Sequence, residues 1–314
     1  MNKTLKTFET NRSSKKKLII LTGPTSSGKT NISIDLAANF NTEIISADSM
    51  HVYKRFDIGT GKPTKEIMKT IPHYLVDIIE ADEDFDAWEY MQLAREIIYK
   101  TKMNCLIVSG GTQFYIKSLI EGLSSGIPKN ENYRKELKKE LEDSGLEKLY
   151  KKLSLIDLDS ANKITSKDTQ RILRYLEINK VSGCKPSRLH AIQNKNQLHN
   201  CENIKVGLLI EKKELDQLIN KRVESMIENG WIEEVENLVN LFGFDVRPLR
   251  SIGYKEICSY LKGEFKKDEA IDKIKTNTRR FAKRQITWLK KDKNMIWYRN
   301  ANELIKECTK FAIS

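Results

Sequence analysis

The chain of 314 residues has little of what marks several protein classes. With 6 prolines, 15 glycines and no acidic tract, it lacks the composition of a low-complexity segment, which excludes chain-wide disorder. No apolar run approaches the roughly 18–20 residues of a membrane-spanning helix; stretches such as Leu18-Ile19-Ile20-Leu21 are typical, so no membrane partner is expected. The five cysteines (Cys105, Cys184, Cys201, Cys258 and Cys308) form an odd, scattered set without a Cys-x-x-Cys pair. That pattern argues against a disulfide framework or a zinc site and suits free thiols in a reducing, cytoplasmic setting. A secretory signal does not fit either, because no apolar segment separates the basic N-terminal residues Lys3, Lys6, Arg12, Lys15, Lys16 and Lys17 from the first strand.

What is present is positive charge and a large core. Lys and Arg total 55 against 43 Asp and Glu, a formal charge of +12. The surplus is clustered: between Lys266 and Lys293 stand eleven basic against four acidic residues, in a segment that otherwise reads as helix. Such clustering points to a polyanionic partner, nucleic acid first. The length exceeds the roughly 250–300 residues at which one core stops growing, predicting an elaborated domain or two domains.

Short apolar runs alternate with helical patterns: Lys17–Gly23, Glu43–Ser49, His73–Ile79 and Asn104–Ser109 read as strands, and Ala87–Tyr99 as an amphipathic helix. This predicts an α/β fold with a parallel sheet flanked by helices. The texture then becomes charged and helix-forming over Asn130–Leu153 and Asp168–Val181, and polar and loop-like over Lys185–Asn203, before strand character returns at Ile204–Ile210. The expected organisation is a basic tail at 1–16, a core of 17–127 and 204–314, and an inserted helical subdomain at 128–203.

Gly23-Pro24-Thr25-Ser26-Ser27-Gly28-Lys29-Thr30 fits G-x-x-x-x-G-K-[ST] between a predicted strand and a predicted helix, making the expected fold P-loop NTPase-like. In that motif backbone N–H groups and a helix N-terminus converge on phosphate oxygens, Lys29 adds a cation and Thr30 can ligate Mg²⁺. A hydrolase of ATP would also need a strand ending in Asp to hold its metal, whereas Asn104–Ser109 runs into Gly110-Gly111-Thr112. The nearest strand-end carboxylate is Asp48, placed to face the phosphate site across the carboxyl edge of the sheet as a metal-linked group or a base. A nucleoside or nucleotide kinase and a non-catalytic RNA-binding protein are the rival readings of these features.

In this order, the P-loop, Ile45-Ser46-Ala47-Asp48-Ser49, Asp57-Ile58-Gly59-Thr60-Gly61-Lys62-Pro63, Pro72-His73-Tyr74-Leu75 and Gly110-Gly111-Thr112 resemble the tRNA dimethylallyltransferases (tRNA isopentenyltransferases), bacterial type. Asp168–Arg174, Ser251–Glu256 and Lys283–Leu289 resemble the later signatures of that family. The resemblance implies transfer of a dimethylallyl group from dimethylallyl diphosphate to N6 of the adenosine 3′ to the anticodon in tRNAs reading U-initial codons. It implies that Gly23 to Thr30 and Arg222 bind the diphosphate, with Mg²⁺ on Thr30, that Asp48 takes the amino proton and that Thr112 donates to the bridging oxygen. It further implies tRNA contacts from Asp48, Ser49, Met50 and His51, from Gln170, Arg171, Ile172, Leu173 and Arg174, from Arg250, Ser251, Ile252, Gly253, Tyr254 and Lys255, and from Thr112 and Arg134, with the base flipped into a channel.

Gln113-Phe114 and Gly61 depart from the family pattern, which commonly has Gly-Leu after Gly-Gly-Thr and Ala or another small residue at position 61. In the basic helix, Arg279, Arg280, Lys283 and Arg284 are expected to face tRNA while Phe281, Ile286, Trp288 and Leu289 pack inward. A monomer is expected.

Overall fold

A strand covered by helices on both faces must be apolar throughout rather than alternating, and Leu18–Leu21, at most 1% exposed, meet that condition. They lie at the centre of the sheet in a computed structural model that describes residues 15–123, 127–193 and 197–314. Among the described residues the strands are β1 (Lys16–Thr22), β2 (Ile44–Ser46), β3 (His73–Tyr74), β4 (Cys105–Gly110), β5 (Cys201–Leu208) and β6 (Met295–Tyr298). Their order is β3-β2-β4-β1-β5-β6, and every pairing is parallel. All the carboxyl ends of the strands therefore share one edge, where the loops after β1, β2 and β4 meet.

The helices interleaved with the first strands are α1 (Lys29–Phe40), α2 (Lys65–Thr70), α3 (Ala87–Lys100) and α4 (Gln113–Glu121). Then come α5 (Glu131–Ile156), α6 (Leu158–Asn162), α7 (Thr169–Ser182) and α8 (Pro186–Gln193) before β5. After it follow α9 (Lys212–Glu228), α10 (Trp231–Phe242), α11 (Tyr254–Leu261) and α12 (Lys267–Leu289), with α13 (Ala301–Ile313) after β6. On one face of the sheet Ile19, Leu21 and Val206 pack with Ile32 and Leu36 of α1 and with Leu304 and Cys308 of α13. Helix α3 starts on a reciprocal cap: the Asp86 carboxylate accepts from the N–H groups of Trp88 and Glu89, and Glu89 accepts from the N–H of Asp86.

Local chemistry changes several expected boundaries. Strand β2 stops at Ser46, short of the expected Ser49, because the Ala47 carbonyl accepts from Thr112 N–H and Asp48 turns the chain by accepting from Met50 N–H. The segment expected as a strand to Ile79 leaves the sheet after Tyr74, where Leu75 and Asp77 take positive φ (61° and 54°). Helix α8 lies within a stretch expected as loop; Pro186 starts it, since the first helical position needs no N–H donor. The sequence reading contained neither β6 nor α13. Most of the basic N-terminal tail, residues 1–14, lies outside the described residues.

The chain divides into two compact units, one running to Ile116 and resuming at His199, the other Lys117–Leu198. The second has its own core of Leu137, Leu149, Leu153, Ala161, Ile164, Ile172 and Leu176. Within it the fully buried Glu177 carboxylate accepts from Arg134 (2.8 and 3.0 Å), Arg174 (2.6 Å) and Asn130 N–H (2.7 Å). Burial pushes its pKa up, but these hydrogen bonds outweigh that and hold the carboxyl below the usual range. Leu149→Ala, which empties a fully buried site, should lower the stability of this unit by about 2–5 kcal/mol in urea unfolding; a loss under about 1 kcal/mol would mean that its core collapses around the gap.

Candidate active site

The phosphate loop leaves β1 at Thr22 and enters α1 through Gly28, which caps the helix at φ 79°, a conformation open to glycine. Ser26 also has positive φ (63°), so two residues of this short loop are held in the left-handed region. The Lys29 ammonium donates to the Pro24 carbonyl at 2.6 Å and to Ser27 Oγ at 3.4 Å. Burial pushes its pKa down, Arg222 lowers it further and Asp48 partly restores it, leaving the amine at about 7. Thr30 stands in the first turn of α1.

Across the sheet edge, β2 and β4 approach backbone to backbone. A Cβ at Gly110 would lie 2.2 Å from the Ala47 carbonyl oxygen, so glycine is the residue that permits the approach. The next residues lock together: Thr112 N–H donates to Ala47 O, Ser49 N–H donates to Thr112 Oγ1 at 3.0 Å, and Thr112 Oγ1 lies 3.3 Å from Ser49 Oγ. Asp48 and Thr112 thus sit on two joined turns. The Asp48 carboxylate accepts from Met50 N–H at 2.9 Å.

Arg222 reaches this edge from α9 and donates to the Thr60 carbonyl at 3.2 Å. Burial lowers its pKa and Asp48 opposes the shift. A Cβ at Gly61 would lie 2.4 Å from Arg222 Nη2, so the glycine in place of the family's commoner alanine leaves room for the guanidinium. His51 Nε2 lies 3.4 Å from the same Thr60 carbonyl and its Nδ1 3.1 Å from Ser46 Oγ. The carbonyl only accepts, which assigns the hydrogen to Nε2; burial holds the imidazole below its ordinary pKa.

The turn carrying Thr60 and Gly61 is held from outside. Glu234 of α10 accepts from the N–H groups of Asp57 (2.9 Å), Ile58 (2.6 Å) and Gly59 (3.2 Å), and from the Tyr254 hydroxyl (2.7 Å). The Trp231 ring occupies the places where Cβ atoms would stand at Gly59 and Gly253. Lys62 folds its ammonium inward to Asp57 Oδ1 (2.9 Å), Asp77 Oδ1 (2.6 Å) and Tyr53 O (2.5 Å). Asp57–Pro63 and Ser251–Glu256, far apart in sequence, are therefore two sides of one clamp on the Arg222 turn.

The structure brings together Gly23–Thr30, Asp48–His51, Thr112 and Arg222 in the first unit. Arg250 and Lys255 are exposed in the same unit, while Gly253 and Tyr254 are buried in the clamp. Arg134 and Gln170–Arg174 belong to the second unit. There Gln170 and Arg171 are exposed, Arg134 and Arg174 are tied to Glu177, and Ile172 is part of the core.

The expectation for α12 needs correction. Ala282, Gln285 and Leu289 are buried and Ile286 packs inward, but Phe281 (38%) and Trp288 (41%) are exposed. At about 100° per residue, these two rings fall at the margin of the buried stripe, beside Arg284. Sequence reasoning missed Glu234, Trp231 and Gln285. Gln285 lies within the Lys283–Leu289 signature without a role of its own there, and the further signal was a polar residue at a position where the apolar stripe of α12 continues.

A phosphate loop between a central parallel strand and its helix, with the ligand edge at the strand carboxyl ends, defines a P-loop-type α/β fold. The sequence model of the IPP transferase family matches residues 51–292. A tRNA dimethylallyltransferase of Natranaerobius thermophilus is 42% identical over 289 residues, covering 90% of this chain and 86% of that protein. Among solved structures, the full-length tRNA isopentenylpyrophosphate transferase of Bacillus halodurans superposes with a TM-score of 0.69 at 36% identity, covering 95% and 96% of the two chains. A eukaryotic dimethylallyltransferase acting on tRNA superposes with a TM-score of 0.76 at 27% identity, covering 95% of this chain and 78% of that one. The chain belongs to the IPP transferase family.

Glu234→Ala removes the acceptor of three N–H groups and a hydroxyl. It should cost about 1.5–3 kcal/mol in chemical unfolding, and a loss below about 0.5 kcal/mol would mean that the carboxylate does not hold the turn.

Proposed function

We propose that the protein transfers a dimethylallyl group from dimethylallyl diphosphate to N6 of adenosine 37, the nucleoside 3′ to the anticodon, in tRNAs that read U-initial codons. The observation that carries this reading is the pair of half-buried cations, Lys29 and Arg222, that both feel the charge of Asp48, whose turn is joined to that of Thr112. Cations at one side and a carboxylate with a hydroxyl at the other suit a reaction in which an anionic group leaves as a neutral amine attacks.

In this reading the C1–O bond of the donor breaks while an N6–C1 bond forms, the bonding pair leaves with the diphosphate, and the N6 proton passes to Asp48. Lys29, Arg222 and the N–H groups at the start of α1 hold the diphosphate, and the Thr112 hydroxyl donates to the bridging oxygen as its charge grows. Among the described residues no group of three or more His, Cys, Asp or Glu side chains is arranged to hold a metal. The residue of this chain that would hold a Mg²⁺ is Thr30, through its hydroxyl, and the ion would supply further charge neutralisation of the diphosphate.

For tRNA, the exposed Arg171, Arg250 and Lys255 are suited to phosphate contacts, with Gln170, Arg134, Arg174 and Asp48–His51 beside them in sequence or function. Ile172 and Leu173 in one unit, and Gly253 and Tyr254 in the other, shape those segments from beneath, and Ser251 and Ile252 are half-buried. The enzyme works as a monomer in the cytoplasm, where its five unpaired cysteines remain reduced. A kinase is disfavoured because β4 ends in Ser109-Gly110, with no carboxylate at the place that holds the metal of an NTP.

Incubation of the protein with Mg²⁺, dimethylallyl diphosphate and an unmodified tRNA reading a U-initial codon should yield isopentenyladenosine on nucleoside mass spectrometry. Asp48→Ala should reduce kcat by about 100-fold or more. ATP-dependent phosphorylation of a nucleotide without this product would replace the reading with the kinase.

The Lys29 amine also sets a pH dependence. Its charged form binds the diphosphate and its pKa in the free protein is about 7, so affinity is full below that pH and declines above it. Recharging the amine costs about 1.4 kcal/mol per pH unit. Between pH 7 and 9 the ratio of wild-type to Lys29→Arg affinity for inorganic diphosphate should fall by up to about 50-fold, whereas a flat ratio would show the amine charged throughout.

A further inference from the structure

Gln285 of α12 makes a contact that none of the roles above requires. It is 6% exposed. Its side-chain oxygen accepts from the Thr25 N–H in the phosphate loop at 2.9 Å, and its side-chain nitrogen donates to the Gly111 carbonyl at 2.9 Å. A carboxamide is the neutral side chain that offers an acceptor and a donor side by side, as this bridge demands. A Cβ at Gly111 would stand 2.5 Å from Gln285 Nε2, so the glycine makes room for the amide. On the other side Gln113 Nε2 lies 2.7 Å from Thr22 Oγ1 and 3.4 Å from the Gly111 carbonyl. One small bridge thus spans the loop after β1 and the turn after β4.

We propose that Gln285 is a positioning residue that fixes the distance between the diphosphate loop and the Thr112 turn. The inference rests on the prenyl-transfer reading: the leaving group is held by the first of these segments, while the second carries the hydroxyl aimed at the breaking bond and, through Ser49, is joined to Asp48. With the Thr25 N–H turned to Gln285, that part of the loop is anchored to α12, and the phosphate is left to Lys29 and the N–H groups nearer α1. Losing the bridge frees the Thr25 end of the loop from the turn and leaves the two joined only at their base, through Thr22. That lowers the rate of the chemical step more than it weakens tRNA binding.

The experiment compares wild type, Gln285→Leu, Gly111→Ala and the double variant in steady-state prenylation, with kcat, both KM values and Tm measured for each. Gln285→Leu removes both bonds, yet the Gly111 carbonyl keeps Gln113 as a donor. Its kcat should fall by about 10–100-fold, with KM for tRNA within about threefold and Tm within a few degrees of wild type. Gly111→Ala displaces the amide from the opposite side and should lower kcat in the same direction. The double variant should be no worse than Gln285→Leu alone, because both changes break one contact.

A Gln285→Leu enzyme with kcat within threefold of wild type, or a double variant in which the two losses multiply, overturns the inference. If Gln285→Leu does not fold, Gly111→Ala decides, and an unchanged kcat there is equally fatal. A wild type that forms no product removes the prenyl-transfer reading and this inference with it; an active wild type with an indifferent Gln285→Leu removes the inference alone.

Discussion

Two half-buried, partly desolvated positive charges within electrostatic reach of each other are the constraint on which this site depends. The Lys29 ammonium and the Arg222 guanidinium are both pushed toward neutrality by burial, and Arg222 depresses Lys29 further. Their direct partners are neutral oxygens, the Pro24 carbonyl and the Ser27 hydroxyl for one and the Thr60 carbonyl for the other, not carboxylates. Neutral acceptors satisfy the donors without cancelling the charge, and Asp48 offsets only part of it. What remains is a positive field directed at the sheet edge, which an incoming polyanion relieves. The surrounding apparatus of Glu234, Trp231 and Lys62 holds the Thr60 carbonyl where that arrangement needs it.

How much of this was legible in the sequence differed between local and distant features. The phosphate loop was legible because its glycines, lysine and threonine are adjacent and act as one unit. Asp48 and Thr112 were legible as strand-end residues, and the structure joins them directly through Ser49. The clamp was not. Glu234 and Trp231 open a helix with no motif around them, and their importance arises from Gly59 and Gly253, far away in sequence. Likewise the faces of α12 could be read only to within a step of 100°, which is why Phe281 and Trp288 came out exposed. Short strands were the least legible: β2 and β3 end where a turn hydrogen bond or a positive φ intervenes, and four residues of β6 carry too little pattern to be distinguished from a loop.

The second unit repeats the theme of charge held by burial with the signs reversed. Glu177, an anion without solvent exposure, is kept ionised by Arg134 and Arg174. Those arginines are fixed in direction by it, and part of their charge is already answered. Arg171, whose partner Asp168 is 3.3 Å away at the surface, is freer to exchange that ion pair for another anion. On the one helix α7, Arg171 is therefore an exposed cation with a surface partner, while Arg174 is set in place.

The order of the sheet also bears on how the chain is made. β1 pairs on one side with β4 and on the other with β5, so Lys16 meets Cys201 about 185 residues after its own synthesis. At about 5–20 residues per second that is a wait of roughly 10–40 s, during which the β5 flank of this apolar strand is unpaired. The intervening unit draws its core from Leu137 to Leu176 and is free to form within that interval. β6 is added last, beside β5. The phosphate loop therefore exists as sequence long before it exists as a site, and nascent chains released before Gln285 emerges hold every residue of the loop without the bridge that braces it.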